Sequence, residues 1–294
     1  IKTHQIDAII STGPPHTMHR IGYHLKKKFP QIAWVADFRD PWTNIDFYDQ
    51  LHLTWPADFM HRTLEKQVLK NTNRVVTVSP SWAADFERLS GRKDILVITN
   101  GFDPEDFEKN VLPVNDITIT HIGSMNEDRN PHVLWNALDV LNKEGKRFQV
   151  KLVGPVDQAI HESIKQKGLT DQVEHIPFVA HDRAIEIMQQ SKILLLPIND
   201  TPNQAGVLPG KLYEYIGSNR CILCIGKGMG DAAKILSEFS QSRVVDYNAT
   251  EDCVKAIKAL SAMPTGELDQ SKVDKYSRKS LASDYAKLLN QLTA

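Results

Sequence analysis

Cysteine is scarce: only Cys221, Cys224 and Cys253 occur in 294 residues, too few for a disulfide framework. Cys221 and Cys224 have C-x-x-C spacing, so redox or zinc chemistry has to be weighed. They lie in a short apolar run with strand character, Arg220-Cys-Ile-Leu-Cys-Ile225, and no second C-x-x-C or clustered histidine accompanies them. Two buried thiols in a reducing cytosol are the simpler reading, and no metal is expected. Long apolar runs are also missing. No stretch approaches the ~18 residues that span a bilayer, and none reads as a signal peptide, so the expected location is cytoplasmic. An excess of one charge is lacking too. Lys plus Arg number 35 and Asp plus Glu 36, giving a net charge of -1, which argues against nucleic acid as the main partner.

What is present is an ordinary globular composition, 41% hydrophobic and 24% charged, long enough for two α/β domains or one large one. Short Val/Ile-rich runs alternate with amphipathic stretches. Residues 6–10, 32–36, 74–78 and 95–99 read as strands. Helical stretches fall at 16–28, where Met18, Ile21, Gly22 and Leu25 share a face, and at 57–70 and 81–89. This grammar predicts a parallel sheet covered on both faces. After the turn signal Asn100-Gly-Phe-Asp103, residues 104–115 are polar and read as a linker. A fresh series then starts, with strands at 117–122, 148–153, 173–176, 193–197, 221–225 and 242–245 separated by helices, and a last amphipathic helix at 276–292. The expected organisation is two Rossmann-like domains, 1–113 and 114–275, with 276–294 a terminal helix that crosses back to the first. Such sheets bind ligands outside the carboxyl ends of their strands, so the loops after them are the places to look.

The most informative of these loops is Asn199-Asp-Thr-Pro-Asn-Gln-Ala-Gly-Val-Leu-Pro-Gly-Lys-Leu-Tyr-Glu-Tyr-Ile216. Pro209 suits the first turn of a helix, whose free amides and positive pole favour an anion. Lys211 adds a full charge within that turn, and Glu214 follows three residues on, on the same face. A cation with amides, followed by a carboxylate, matches a pyrophosphate next to a ribose with two hydroxyls. The alternative is an i,i+3 surface ion pair. Gly226-Lys-Gly-Met-Gly230 lacks the full G-x-G-x-x-G pattern and reads as a flexible loop capped by Asp231.

Pro209-Gly-Lys-Leu-Tyr-Glu-Tyr-Ile216, followed by Arg220-Cys-Ile-Leu223, resembles the donor-site helix and next strand of bacterial GT-B glycosyltransferases of the large retaining family four, the group 1 type. Trp34-Val-Ala-Asp-Phe-Arg-Asp-Pro-Trp42, Val76-Thr-Val-Ser79 with Val97-Ile-Thr-Asn-Gly-Phe-Asp103, and His121-Ile-Gly-Ser124 with Arg129 are similar to further family segments in the same order. The resemblance implies an α/β fold of two Rossmann-like (GT-B) domains and transfer of sugar from a nucleoside-diphosphate sugar to a hydroxyl acceptor. Configuration would be retained without metal, in synthesis of a cell-surface polysaccharide or glycan. No cofactor is implied beyond the donor itself. Two rival readings are a nucleotide-sugar epimerase on the same fold and a non-catalytic glycan- or partner-binding module.

Residue by residue, the resemblance puts Arg129 and Lys211 on the diphosphate, Gly123 where the backbone approaches it, Glu214 on the ribose, and Phe178 and Val179 near the base. Phe178 has core packing as its alternative. The family shows two glutamates eight positions apart. Glu214 matches the second, but Gly206 stands where the first would be, which leaves the donor-sugar contact unassigned; Asn203 and Gln204 are the nearby polar substitutes. On the acceptor side, His16 opens a helix after a strand, at the edge of the cleft, and is the catalytic candidate. Asp37, Arg39 and Asp40 either bind acceptor hydroxyls or form a local ion-pair network. Lys26, Lys27 and Lys28 suit the negative end of a helix. A second reading places them on the inner face of a membrane, beside a lipid-linked acceptor. The chain opens on Ile1 and quickly enters a strand, without the first strand and glycine-rich loop of the family. The expectation is that about a hundred residues of the first domain are absent, with sheet edge and apolar surface exposed, and that such a chain binds nucleotide but transfers sugar poorly.

Overall fold

The computed structural model describes residues 5–108, 118–264 and 269–294. The contacts divide it into two compact units: residues 1–100 with 279–294, and residues 101–278. The end of the expected linker and the first residue of the strand at 117 lie outside the described residues, as does the 113/114 boundary. The start of the linker, Pro104–Phe107, is a 3-10 turn.

The first unit alternates β1 (Ala8–Gly13), α1 (Thr17–Lys28), β2 (Ala33–Phe38), α2 (Trp55–Asn71), β3 (Arg74–Thr77), α3 (Pro80–Ser90) and β4 (Ile95–Val97). All strand pairs are parallel, in the order β1-β2-β3-β4. β2 is buried at every position, as expected of a strand covered on both faces. The expected apolar face of α1 is corrected. His19, Gly22 and Tyr23 are the buried positions, whereas Met18 and Ile21 are exposed. Of the expected face Gly22 is buried and Leu25 half-buried; a Cβ at Gly22 would lie 2.5 Å from Trp34 Nε1, so the missing side chain lets the helix sit on the indole.

The second unit runs β5 (Thr118–Ile122), α4 (His132–Lys143), β6 (Gln149–Val153), α5 (Gln158–Gln166), β7 (Val173–Ile176), α6 (His181–Gln190) and β8 (Ile193–Pro197). It continues with α7 (Gly210–Gly217), β9 (Cys221–Ile225), α8 (Asp231–Leu236), β10 (Ser242–Val245), α9 (Thr250–Ala262) and α10 (Gln270–Asp274). Its parallel sheet has the order β10-β9-β8-β5-β6-β7. Strand order therefore reverses between β5 and β8, which makes the space outside their carboxyl ends the natural ligand crevice.

Two cores cover this sheet, and β8 shows how its strands serve both. Ile193 and Leu195 join the core formed with α4 and α9, while Leu194 and Leu196 join the one formed with α6, α7 and α8. The same period of two disposes of the C-x-x-C spacing: Cys221 faces the first core and Cys224 the second. Residues three apart on a strand point to opposite faces, so these thiols cannot share one metal ion. Burial pushes Cys224 up to about 12, keeping it a thiol.

The last helix, α11 (Arg278–Thr293), belongs to the first unit from Lys279 onward. Leu288 packs with Val35, Val76 and Ile98, flanked by Leu281, Tyr285, Leu289 and Leu292. Among the described residues, no helix is long and apolar enough to cross a membrane.

Candidate functional site

At the switch point of the second sheet, the loops after β5 and β8 and the start of α7 supply the sequence-singled residues. Pro209 is the N-cap of α7, one position before the helix begins, and its carbonyl accepts from Leu212 N at 3.0 Å. Leu212, Tyr213, Tyr215 and Ile216 are buried, leaving Lys211 and Glu214 on the half-buried face of the helix. Tyr215 pins the helix from below: its hydroxyl accepts from Ile122 N at 3.0 Å, at the end of β5.

Gly123 follows at φ +115°, and a Cβ there would lie 2.5 Å from Lys211 Nζ. The neighbouring strand ends in the same way. Gly154 has φ +116° and no room for a Cβ against the Gly123 carbonyl, while Gly123 N donates to Val153 O at 2.7 Å. A positive φ is open to glycine at little cost, so the two glycines let both loops and the lysine converge.

Lys211 turns toward Gly123 and His121, with Nζ 3.4 Å from His121 Nε2. Burial pulls its ammonium down to about 8, helped by the Arg129 charge and opposed by Glu214. Arg129 ends a 3-10 turn, Glu127–Arg129, and its Nε donates to Asn199 Oδ1 in the loop after β8. His121 is fully buried on β5, and its Nδ1 lies 3.0 Å from the Leu195 carbonyl. Burial and the Lys211 charge pull it down to about 3, against the Leu195 and Ser124 backbone, so it is neutral near pH 7.

The loop after β8 is held by Tyr247, whose hydroxyl donates to Gln204 Oε1 at 2.6 Å and lies 3.1 Å from the Asn199 carbonyl. Gly206 is buried in the 3-10 turn Gln204–Gly206. Phe178 follows β7 and is 84% exposed, which overturns core packing as its role; Val179 beside it is half-buried. Asp231 is corrected as well. Gly230 is the N-cap of α8, and Asp231 is its buried first residue, paired with Lys234 at 2.9 Å.

The first unit places His16 at the N-cap of α1, without a capping bond from its side chain. Its ring stacks on Trp42 at 5.4 Å between centroids and lies near Phe38 and His19. Burial pulls His16 down to about 4, assisted by His61 and opposed by the Pro41 backbone. Buried Glu65 fixes the loop beside it, accepting from Trp42 N at 3.0 Å and from Thr43.

Asp37 and Arg39 are engaged with each other. Arg39 Nε donates to Asp37 Oδ2 at 2.8 Å, and Thr12 Oγ1 reaches the same oxygen at 3.0 Å. Arg39 also donates to the Tyr285 hydroxyl at 3.2 Å and to Asn100 Oδ1 at 3.1 Å. Asp37 is buried within this network. Asp40 stands apart: burial and the Asp46 charge push it up to about 6.

Tyr247 and Glu65 escape sequence reasoning, and His121, Tyr215 and Asn199 stand in the quoted motifs without an assigned role, because each acts through a fold-dependent partner more than twenty positions away. For Tyr215 alone a signal existed, a tyrosine on the apolar face of a helix, where its hydroxyl needs a partner.

A family profile described as "Glycosyl transferases group 1" matches residues 102–280, more than half of the chain. No curated protein sequence matches. Among solved structures, sucrose-phosphate synthase from Thermosynechococcus elongatus aligns with a TM-score of 0.73 at 16% identity, over 97% of this chain and 73% of that one. HepE from Anabaena, in complex with UDP and glucose, aligns with 0.73 at 14%, over 99% and 79%. Trehalose 6-phosphate synthase from Burkholderia multivorans aligns with 0.70 at 10%, over 99% and 72%. At these identities the likeness concerns the fold.

Proposed function

Because this chain belongs to the group 1 glycosyl transferases, which move sugar from a nucleotide sugar to an acceptor, we propose that its second unit holds the donor at the β5/β8 switch point. Lys211 and Arg129 take the diphosphate, Gly123 admits it to the backbone, and Glu214 accepts from the ribose hydroxyls. Phe178 covers the base, beside Val179. The observation that carries this reading is the Lys211 ammonium lying over Gly123 at the amino end of α7. Two cations in each other's field are an arrangement that an anion relieves. The HepE complex holds UDP and glucose, so a uridine diphosphate sugar is the first donor to try.

In the reaction, the bond from the anomeric carbon to the diphosphate oxygen breaks, and its electron pair stays on the diphosphate. The acceptor hydroxyl oxygen bonds to the anomeric carbon on the same face, and its proton passes to the leaving phosphate oxygen. Configuration is retained and no metal takes part. Lys211, Arg129 and the α7 amides stabilise the charge that grows on the leaving group. His16 in the first unit, neutral at pH 7, accepts a hydrogen bond from a substrate hydroxyl and so orients it. Asp40 and the remaining exposure of Arg39 contact the acceptor, while Asp37 serves by holding Arg39. The acceptor is a growing glycan of a bacterial surface polysaccharide, lipid-linked and presented at the inner membrane face beside Lys26, Lys27 and Lys28.

A panel of nucleoside diphosphates and the matching nucleosides, read by thermal shift, tests the donor site, since a ligand of the native state raises its melting point. Lys211→Ala is expected to weaken diphosphate binding far more than nucleoside binding. Equal losses for the two would overturn the assignment.

A further inference from the structure

His121 is buried inside β5, yet its ring is the link between the strand and the lysine of the donor site. Its Nδ1 stands 3.0 Å from the Leu195 carbonyl on β8. A carbonyl oxygen only accepts, so the Leu195 contact places the ring proton on Nδ1, in competition with the Ser124 backbone, which also accepts from the ring. In a neutral imidazole the other nitrogen, Nε2, then holds a lone pair. That lone pair faces Lys211 Nζ at 3.4 Å, and an ammonium only donates. The geometry assigns His121 as a positioning residue: its Leu195-locked tautomer presents Nε2 as the acceptor that keeps the Lys211 ammonium over Gly123, ready for an anionic phosphate.

The alternatives at this position explain why a histidine is needed. An apolar side chain on β5 would withdraw the ring acceptor 3.4 Å from the lysine and free it to swing toward Glu214. A carboxylate would hold the lysine tightly but would place a negative charge where the diphosphate is to bind. A neutral imidazole holds the cation without cancelling it. Glu214, Arg129 and the Ser124 backbone are the other groups felt by this pair, and none of them supplies a neutral side-chain acceptor. The inference rests on the donor-site reading above.

Two substitutions separate the functions of the ring. His121→Asn keeps an amide donor where Nδ1 meets Leu195 but has nothing at Nε2. His121→Gln can set its carbonyl oxygen where Nε2 stood. With uridine diphosphate and uridine as probes in titration calorimetry, His121→Asn is expected to lose about tenfold in diphosphate affinity and little in nucleoside affinity, with His121→Gln recovering most of the loss. In a Lys211→Ala background, His121→Asn should cost nothing more. A merely structural role would lower binding of both probes and would do so with or without Lys211. An undiminished diphosphate affinity in His121→Asn, or the same loss in both backgrounds, overturns the inference. Nitrogen-15 shifts of the His121 ring give a reading that needs no ligand: protonated Nδ1 and bare Nε2 are expected, and a protonated Nε2 overturns it. Should Lys211→Ala leave diphosphate affinity intact, the donor-site reading falls and His121's part in phosphate capture falls with it. The ring shifts would still decide whether His121 accepts from Lys211.

Discussion

The Lys211 ammonium occupies the space that a side chain at Gly123 would need. The two residues come from different elements, 88 positions apart in sequence, and meet because α7 is tied to the end of β5 through the Tyr215 hydroxyl. Gly123 therefore serves twice, by accepting φ +115° and by leaving room for Nζ. Gly123→Ala is expected to cost about 1–3 kcal/mol through backbone strain. It should also displace the lysine and lower nucleoside diphosphate affinity about tenfold. Thermal unfolding and titration calorimetry measure the two effects separately. A destabilised variant with undiminished affinity would show that Lys211 does not need its place over Gly123.

Affinity for the diphosphate should also depend on pH in a particular window. Lys211 is held down to about 8, so in the free protein its charge is lost as pH rises through that value and not near 10.5. The Arg129 charge lowers the lysine, Glu214 raises it, and His121 is neutral above about 3. The last ionisation of a terminal phosphate lies near 6, so the ligand itself no longer changes above pH 7. Binding should thus weaken between about pH 7.5 and 9, and the bound phosphate should move the midpoint upward by restoring the lysine's charge. Calorimetry in buffers of different ionisation heat measures the proton taken up on binding. No uptake at pH 8.5 would mean that Lys211 keeps its proton throughout or lies off the phosphate.

Much of this was legible in the sequence, and the reasons are local. Short β-branched runs alternating with amphipathic stretches specify parallel strands and covering helices, and the Lys211 region stands out because a proline, a cation and a carboxylate fall within six residues at a helix start. What local pattern could not supply is the long-range partner. Hydrophobicity puts Met18 and Ile21 on the covered face of α1, yet both are exposed, while Gly22 sits against the Trp34 indole beside buried His19 and Tyr23. Asp37 and Arg39 could be grouped from their spacing, yet the partner that engages Arg39, Tyr285, lies 246 positions away on α11. Side-chain partners that depend on which strands become neighbours carry no periodic signature.

Phe178 separates stability from recognition. A side chain 84% exposed contributes little to the folded state, so Phe178→Ala should change stability by less than about 0.5 kcal/mol. If the ring covers the nucleobase, the same substitution removes a stacking surface of about 1–3 kcal/mol. Nucleoside affinity should fall about tenfold, while inorganic pyrophosphate, which has no base, should bind as before. Parallel losses for nucleoside and pyrophosphate would place Phe178 elsewhere in the site's economy, and an unaltered nucleoside affinity would remove it from the site.

His16 makes the converse prediction, because it belongs to the first unit while the residues proposed for the nucleotide all belong to the second. His16→Ala should leave nucleoside diphosphate affinity unchanged. It should lower transfer to an acceptor about a hundredfold, the scale for losing one preorganised polar group aimed at the reacting centre. The pH profile distinguishes its part further. Burial holds His16 down to about 4, so it stays neutral as pH falls from 8 to 5, and turnover should show no limb near the ordinary histidine value of 6.5. An acid limb near 6 would instead report Asp40, which burial and Asp46 push up to about that value, and Asp40→Asn should abolish it. A limb near 6.5 that disappears in His16→Ala would mean that the ring titrates freely, and the neutral, hydroxyl-accepting role would have to be given up.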